Sequence, residues 1–173
     1  MADKPRYKPP TEDRLIRSAL HYLERYATSA ANLRKVLERK VLKACLSLEL
    51  EPADYSDVID AVVEKCVQTG LVNDKTYAET KTAGLRRRGG STRKIEAQLT
   101  AKGVDRTTIQ TVLAQDERSD EEAAQIFARR RRLGPFRTTP ARDDRRDKDL
   151  AALCRAGFSY DIARKVIDGS EGD

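Results

Sequence analysis

The stretch from Gly70 to Leu113 constrains the chain most, because glycines cut it into lengths that suit only short helices. Asp74 can cap a helix running from Lys75 to Arg88, and the Gly89-Gly90 pair breaks it. Ser91 or Thr92 opens a second helix that turns Ile95 and Leu99 inward, with Gly103 just past its end. Asp105 caps a third, with Ile109, Val112 and Leu113 inward. The result is helix, glycine turn, short helix, glycine turn, helix.

The same punctuation recurs downstream. Placing Gly103 on Gly157 superposes Leu99 on Leu153, Val104 on Phe158, Asp105 on Ser159, Ile109 on Ala163, Val112 on Val166 and Leu113 on Ile167. Upstream the match is looser: Leu33 and Leu37 resemble Ile95 and Leu99, and Lys43 to Asp57 lengthens the connection. This reads as three tandem three-helix units near 11–72, 73–116 and 117–169, after an arm over 1–10 and before a tail over 170–173. Each unit is too small to bury its apolar stripe alone, so neighbours must stack.

Outside the central stretch the same reasoning places six more helices. Thr11 can cap the first, whose apolar face is Leu15, Ala19, Leu20, Tyr22 and Leu23. Ser29 caps the second, with Leu33, Val36, Leu37, Val41 and Leu42 at helical spacing, and Pro52 closes it. The third carries Val58, Ile59, Val62, Val63, Cys66 and Val67, and Gly70 follows it. Ser119-Asp-Glu-Glu122 is a capping box for a seventh helix over about 120–133. Gly134 to Pro140 stops that helix, and the polar connection 134–147 leads to the eighth and ninth, marked by Leu150, Leu153, Ile162, Ala163, Val166 and Ile167. No segment alternates with period two for long enough to form a strand, so the fold is all-α.

Charge is segregated. The chain has 173 residues, a net charge of +6 and a pI near 9.3. From Leu46 to Glu79 eight acidic residues meet only Lys65 and Lys75; from Lys81 to Arg106 eight basic residues meet only Glu96 and Asp105; from Arg129 to Lys148 nine basic residues meet three aspartates. Like charges packed this densely repel one another and call for a polyanionic partner. The contact candidates are Arg86, Arg87, Arg88, Arg93, Lys94, Lys102, Arg106, Arg129, Arg130, Arg131, Arg132, Arg145 and Arg146.

Signals for catalysis are weak. Arg88-Gly-Gly-Ser-Thr is a glycine turn without the lysine of a phosphate-binding loop. Cys45, Cys66 and Cys154 form no CxxC pair, and a single His21 leaves no zinc ligand set, so we expect neither metal nor cofactor and no catalytic residue. The Glu121-Glu122 and Asp143-Asp144 pairs read as surface charge. No apolar run is long enough for a membrane span, and nothing at the N-terminus resembles a secretory signal. We expect a cytoplasmic protein that does not bind membranes.

Three segments carry a family resemblance. The run Gly70-Leu71-Val72-Asn73-Asp74-Lys75-Thr76-Tyr77-Ala78, then Arg88-Gly89-Gly90, Lys94-Ile95-Glu96-Ala97-Gln98-Leu99 and Lys102-Gly103-Val104, resembles the RecX family, regulators of the RecA recombinase. Ala19 to Leu23 with Ser29 to Arg34, and Arg155-Ala156-Gly157-Phe158-Ser159-Tyr160-Asp161, resemble its first and last thirds. Leu71-Val72 stands where an aromatic–Leu pair is usual, and Asn32 where Glu is usual.

The resemblance implies three tandem three-helix, helix–turn–helix-like repeats in a curved, elongated, right-handed array, acting as a monomer. It implies binding in the helical groove of the RecA–DNA filament, with inhibition of recombinase, ATPase and coprotease activity and so modulation of recombination, repair and the SOS response. Weak, salt-dependent contact with single- and double-stranded DNA accompanies that role. The alternative is an autonomous helix–turn–helix-type DNA-binding module.

Overall fold

The computed structural model describes residues 7–138 and 145–169. Among these there are nine α-helices, two short 3-10 helices and no strand. The helices are α1 Glu12–Leu23, α2 Ala30–Leu48, α3 Ser56–Gln68, α4 Asp74–Arg86, α5 Thr92–Ala101, α6 Arg106–Ala114, α7 Asp120–Arg131, α8 Arg146–Arg155 and α9 Tyr160–Asp168. Residues 1–6 of the arm, 139–144 of the polar connection (with Asp143-Asp144) and the tail 170–173 lie outside the described residues.

The chain divides into two compact units. The first holds residues up to Tyr77 together with the Lys102–Val104 turn. Its core is Leu15 and Ala19 of α1, Leu33, Leu37, Val41 and Cys45 of α2, Ile59, Val62 and Cys66 of α3, and Val72. The second unit holds Ala78–Ala101 and the chain from Asp105 onward. Its largest core cluster joins Ala123, Ala124 and Ala128 of α7 to Leu150 and Leu153 of α8, Phe158, and Ala163, Val166 and Ile167 of α9. Ile95, Leu99, Ile109 and Val112 of α5 and α6 are buried as well.

The helix ends follow local chemistry. Ser29, Ser91, Asp105, Ser119 and Ser159 each accept a backbone N–H three residues on, and Ser119 with Glu122 closes a capping box. Thr11 occupies the first cap position without a side-chain cap bond. Asp74 does not cap α4. Asn73 does, accepting from Thr76 N–H at 2.9 Å, which frees the Asp74 carboxylate. The α2 helix stops before Pro52, where Glu49 takes a left-handed conformation (φ 54°). Leu42 and Val67, placed inward by their spacing, face solvent, as does Leu20.

One joint is built twice. In the first unit, Ser29 donates its hydroxyl to the Lys102 carbonyl, and Ala30 N–H donates to Asp74 at 2.8 Å. In the second unit, Ser91 donates to the Ala156 carbonyl at 2.8 Å, and Thr92 N–H donates to Asp120 at 2.8 Å. Both serines are fully buried. Each accepted carbonyl precedes a positive-φ glycine set against the capped helix start. A Cβ on Gly103 would fall 2.5 Å from Ala31 Cβ, and one on Gly157 would fall 2.5 Å from Ser91 Oγ. The hydroxyl satisfies one orphan donor of its helix and one carbonyl of the facing turn, and the aspartate satisfies another orphan donor. At the matching place before α8 stands Arg145, with no cap bond, so the joint is not built a third time among the described residues.

Gly89 packs equally close. Its φ is +76°, and an added Cβ would meet the backbone of α7, 2.6 Å from Phe127 N and 2.8 Å from Ala123 O. Backbone cannot swing aside. Gly89→Ala is therefore expected to destabilise by about 2–4 kcal/mol, combining left-handed strain with overpacking. Gly70 has a similar φ of +74° but open space around it, so Gly70→Ala should cost only about 1–2 kcal/mol. Urea unfolding of the two variants checks the difference; equal losses would contradict it.

Candidate nucleic-acid interface

The basic run at the end of α4 is split by helical geometry. Successive residues on a helix point about 100° apart, so Arg86 continues the buried stripe of Ala78, Thr82 and Leu85 while Arg87 and Arg88 are exposed. Arg86 is only 4% exposed. Its Nε donates to Asp116 at 2.5 Å, its Nη1 to Asp120 at 2.6 Å and to the Gly90 carbonyl at 3.0 Å, and its Nη2 to Thr92 Oγ1 at 2.8 Å. The expectation that Arg86 is a surface contact is corrected by this burial: its charge is spent on two aspartates and on the turn itself.

Electrostatics keep Arg86 and Asp120 ionised. Burial alone would lower the Arg86 pKa, but the bonds to Asp120 and Asp116 outweigh it, and the pKa is raised. Burial alone would raise the Asp120 pKa, but bonds from Arg86 and Thr92 hold it below the usual carboxylate range. Asp149 behaves alike. Its burial is overcome by Arg137 and by Gly134 N–H, which donates at 2.8 Å.

The exposed cations sort by position. Arg88, Lys94, Arg130 and Arg131 converge on one cleft of about 610 Å³, with Lys81 also on its wall and no acidic residue lining it. Arg130 reaches the Arg88 carbonyl at 3.1 Å, and Arg131 lies over the Phe127 ring at 5.7 Å. Arg129 lies over Phe136 at 5.1 Å. Arg87 faces a different cleft beside Glu79, Asp116 and Glu117. Arg93 is exposed on α5, Arg106 at the start of α6, and Arg132 caps α7 in a left-handed conformation. Lys102 belongs to the first unit, where its ammonium donates to Asn32 at 3.2 Å. Arg145 is exposed, whereas Arg146 is half-buried and forks onto Asp168 with both bonds at 2.7 Å. Arg146 is thus a structural tie rather than a free surface cation.

Lys81, Gln98 and Phe127 also line the basic cleft and were not among the sequence candidates. Lys81 was within reach of the pattern, since the helix expected over Lys75 to Arg88 puts it two turns before Arg88 on one face. Phe127 could not be distinguished from a core aromatic by spacing. Cys45 and Cys66 are buried, and desolvation pushes both thiols up, with Glu51 and Asp54 adding to the shift at Cys45. A thiol held protonated is a poor nucleophile.

Among the described residues no helix is long and apolar enough to cross a membrane, and no group of His, Cys, Asp and Glu could hold a metal ion.

Two outcomes follow for the buried cluster. Arg86→Ala leaves Asp116 and Asp120 facing each other without a counter-charge, and should destabilise by about 3–5 kcal/mol, measured by urea unfolding at neutral pH. The depressed folded pKa of Asp120 and of Asp149 makes their stabilisation present above about pH 4, the unfolded carboxylate value, and lost as pH falls through the lower folded values. Asp120→Asn should therefore flatten the fall of the urea midpoint between neutral pH and about pH 3. An unchanged slope would contradict the assignment.

Comparison with known proteins fits the fold. The family model described as RecX, second three-helix domain, matches residues 73–113, which span α4 to α6. The chain is 45% identical over 170 residues to the regulatory protein RecX of Myxococcus xanthus, covering 96% of this chain and 90% of that one. It is 32% identical over 150 residues to the regulatory protein RecX of Agrobacterium fabrum, covering 87% and 79%. Two crystal structures share the fold: RecX from Lactobacillus salivarius, with a TM-score of 0.65 at 24% identity over 91% of this chain and 94% of that one, and another regulatory protein RecX, with a TM-score of 0.66 at 20% identity over 91% and 71%. With 45% identity to one relative over 96% of its length and a central segment that matches the family model, the chain belongs to the RecX family of regulatory proteins.

Proposed function

We propose that this protein binds the RecA–DNA filament in its helical groove and inhibits the recombinase, ATPase and coprotease activities of RecA. It thereby modulates recombination, repair and the SOS response. It acts in the cytoplasm as a monomer, through three three-helix units, without a catalytic step or cofactor.

The observation that carries this reading is the cleft of uncompensated cations on α4, α5 and α7, in a member of a family of regulatory proteins. A filament built on DNA offers phosphate at high density. Cations that meet no carboxylate in their own protein gain most from such a partner, and that gain falls with salt. The protein's own ionic ties, Arg86 to Asp116 and Asp120 and Arg137 to Asp149, are internal and leave these cations available.

A second reading rests on α6. Arg106, Thr107, Gln110 and Thr111 are exposed along it, after the Gly103 turn, as on the second helix of a DNA-reading helix–turn–helix. That reading requires tight binding to a particular duplex without RecA, and equal competition by random DNA removes it.

The test is RecA ATPase on single-stranded DNA. The wild-type protein should inhibit at substoichiometric amounts, and inhibition should weaken as salt rises. Combined Arg88→Glu and Arg130→Glu should weaken inhibition at least about tenfold, the equivalent of roughly 1.4 kcal/mol of binding. No effect of the wild-type protein at low salt would overturn the proposal.

A further inference from the structure

The cleft between the α4–α5 turn and α7 is built for more than attraction to a polyanion. Lys81, Arg88, Lys94, Arg130 and Arg131 surround it, and none of the five lies within an ion pair among the described residues. The turn at its base is held from behind by buried Arg86, which donates to the Gly90 carbonyl, and Gly89 lets that turn sit against α7 without a side chain between them. These cations are therefore carried on a braced frame rather than on loose loop ends.

One wall differs from the rest. The guanidinium of Arg131 lies over the ring of Phe127, 5.7 Å from its centroid, and Phe127 in turn meets Phe158 edge-on at 6.0 Å. Phe158 is buried in the core. Arg131 is exposed, and a guanidinium drawn to an aromatic face by cation–π attraction offers a planar surface on which a nucleobase stacks. Charge along a groove together with a planar platform is the construction of single-strand sites. An acidic peptide would use the charge and leave the platform idle. A duplex keeps its bases stacked inside and could not reach it.

We propose that this cleft is a single-stranded DNA site, in which Lys81, Arg88, Lys94 and Arg130 meet phosphates while Arg131, backed by Phe127, stacks on one unpaired base. The proposal deepens the reading above and rests on it for the choice of DNA as the polymer. It also divides the labour of the basic residues. Arg86 is a positioning residue for the turn, and Arg93, Arg106 and Lys102 are not part of this site.

The test is fluorescence anisotropy without RecA, using a labelled oligothymidylate of about 20 nucleotides and an abasic strand of the same length. Lys94→Glu and Arg130→Glu should each weaken binding of both strands about tenfold and lower the salt slope by about 0.7 per lost phosphate contact. Arg39→Glu, exposed on α2, should leave both strands within about twofold. Arg131→Lys keeps the charge and loses the plane. It should weaken the oligothymidylate about fivefold, the equivalent of about 1 kcal/mol of stacking, and leave the abasic strand unchanged.

Lys94→Gln and Arg130→Gln should follow the reversals in direction, with thermal unfolding recorded for every variant to confirm the fold. The proposal is overturned if the reversals bind like wild type, if Arg131→Lys weakens both strands equally, if duplex binds more tightly than single strand, or if polyglutamate displaces the oligonucleotide as well as unlabelled strand does. A wild-type protein that binds the oligonucleotide in this way but leaves RecA ATPase untouched keeps the cleft and removes the RecA reading. Inhibition of RecA that survives loss of oligonucleotide binding removes the cleft alone.

Discussion

A buried serine that caps one helix and donates its hydroxyl to the carbonyl before a glycine is the contact on which this structure depends. Ser29 and Ser91 both do so, and beside each an aspartate, Asp74 or Asp120, takes the next backbone N–H. Short helices leave many orphan backbone groups relative to their apolar area, so sealing their ends against a neighbour matters more here than in a thick core. The glycines are required for the same reason. At Gly103 and Gly157 the turn comes so close to the facing helix start that no side chain fits. The joint thus couples the satisfaction of helix termini to close packing within each compact unit.

The second joint carries an addition that ties it to the basic cleft. Asp120 accepts from Thr92 and also from Arg86, and Arg86 holds Asp116 and the Gly90 carbonyl. One guanidinium therefore braces the end of α4, the glycine turn and the start of α7 together. A buried charge of this kind contributes less to net stability than to fixing one arrangement, because desolvation offsets much of its Coulomb gain. What it fixes is the frame from which Arg88, Lys94, Arg130 and Arg131 project. The structural cation is spent so that the neighbouring ones can be held in place unspent.

Much of this was legible in the sequence. The glycine punctuation, the Ser and Asp caps and the superposition of Leu99 on Leu153 are local signals, and the burial of both leucines and of Val104 and Phe158 matches them. Leu42 and Val67 were misplaced because a three-or-four spacing accepts residues at the margin of a stripe, and only packing decides which side they fall on. Arg86 was misread because Arg86-Arg87-Arg88 looks uniform, while the acids that neutralise one of the three are remote in sequence. The clue was that Arg86 follows Thr82 and Ala78 by one and two helical turns. The exchange at the α4 start, where Asn73 caps and Asp74 reaches across to Ala30, had no local signal, since either residue makes an acceptable cap. Phe127 beside Arg131 follows from their spacing of four on α7, whereas their place on one wall with Arg88 and Lys94 arises only from the approach of α7 to the turn.

The central claim is that a braced basic cleft meets the DNA of a recombinase filament. A cryo-electron microscopy reconstruction of RecA on single-stranded DNA with this protein bound tests it most directly. The account predicts density for the protein within the filament groove, with the α4–α5 turn and α7 directed toward the DNA. Density with that cleft turned to solvent, or a filament left undecorated at low salt, would contradict it.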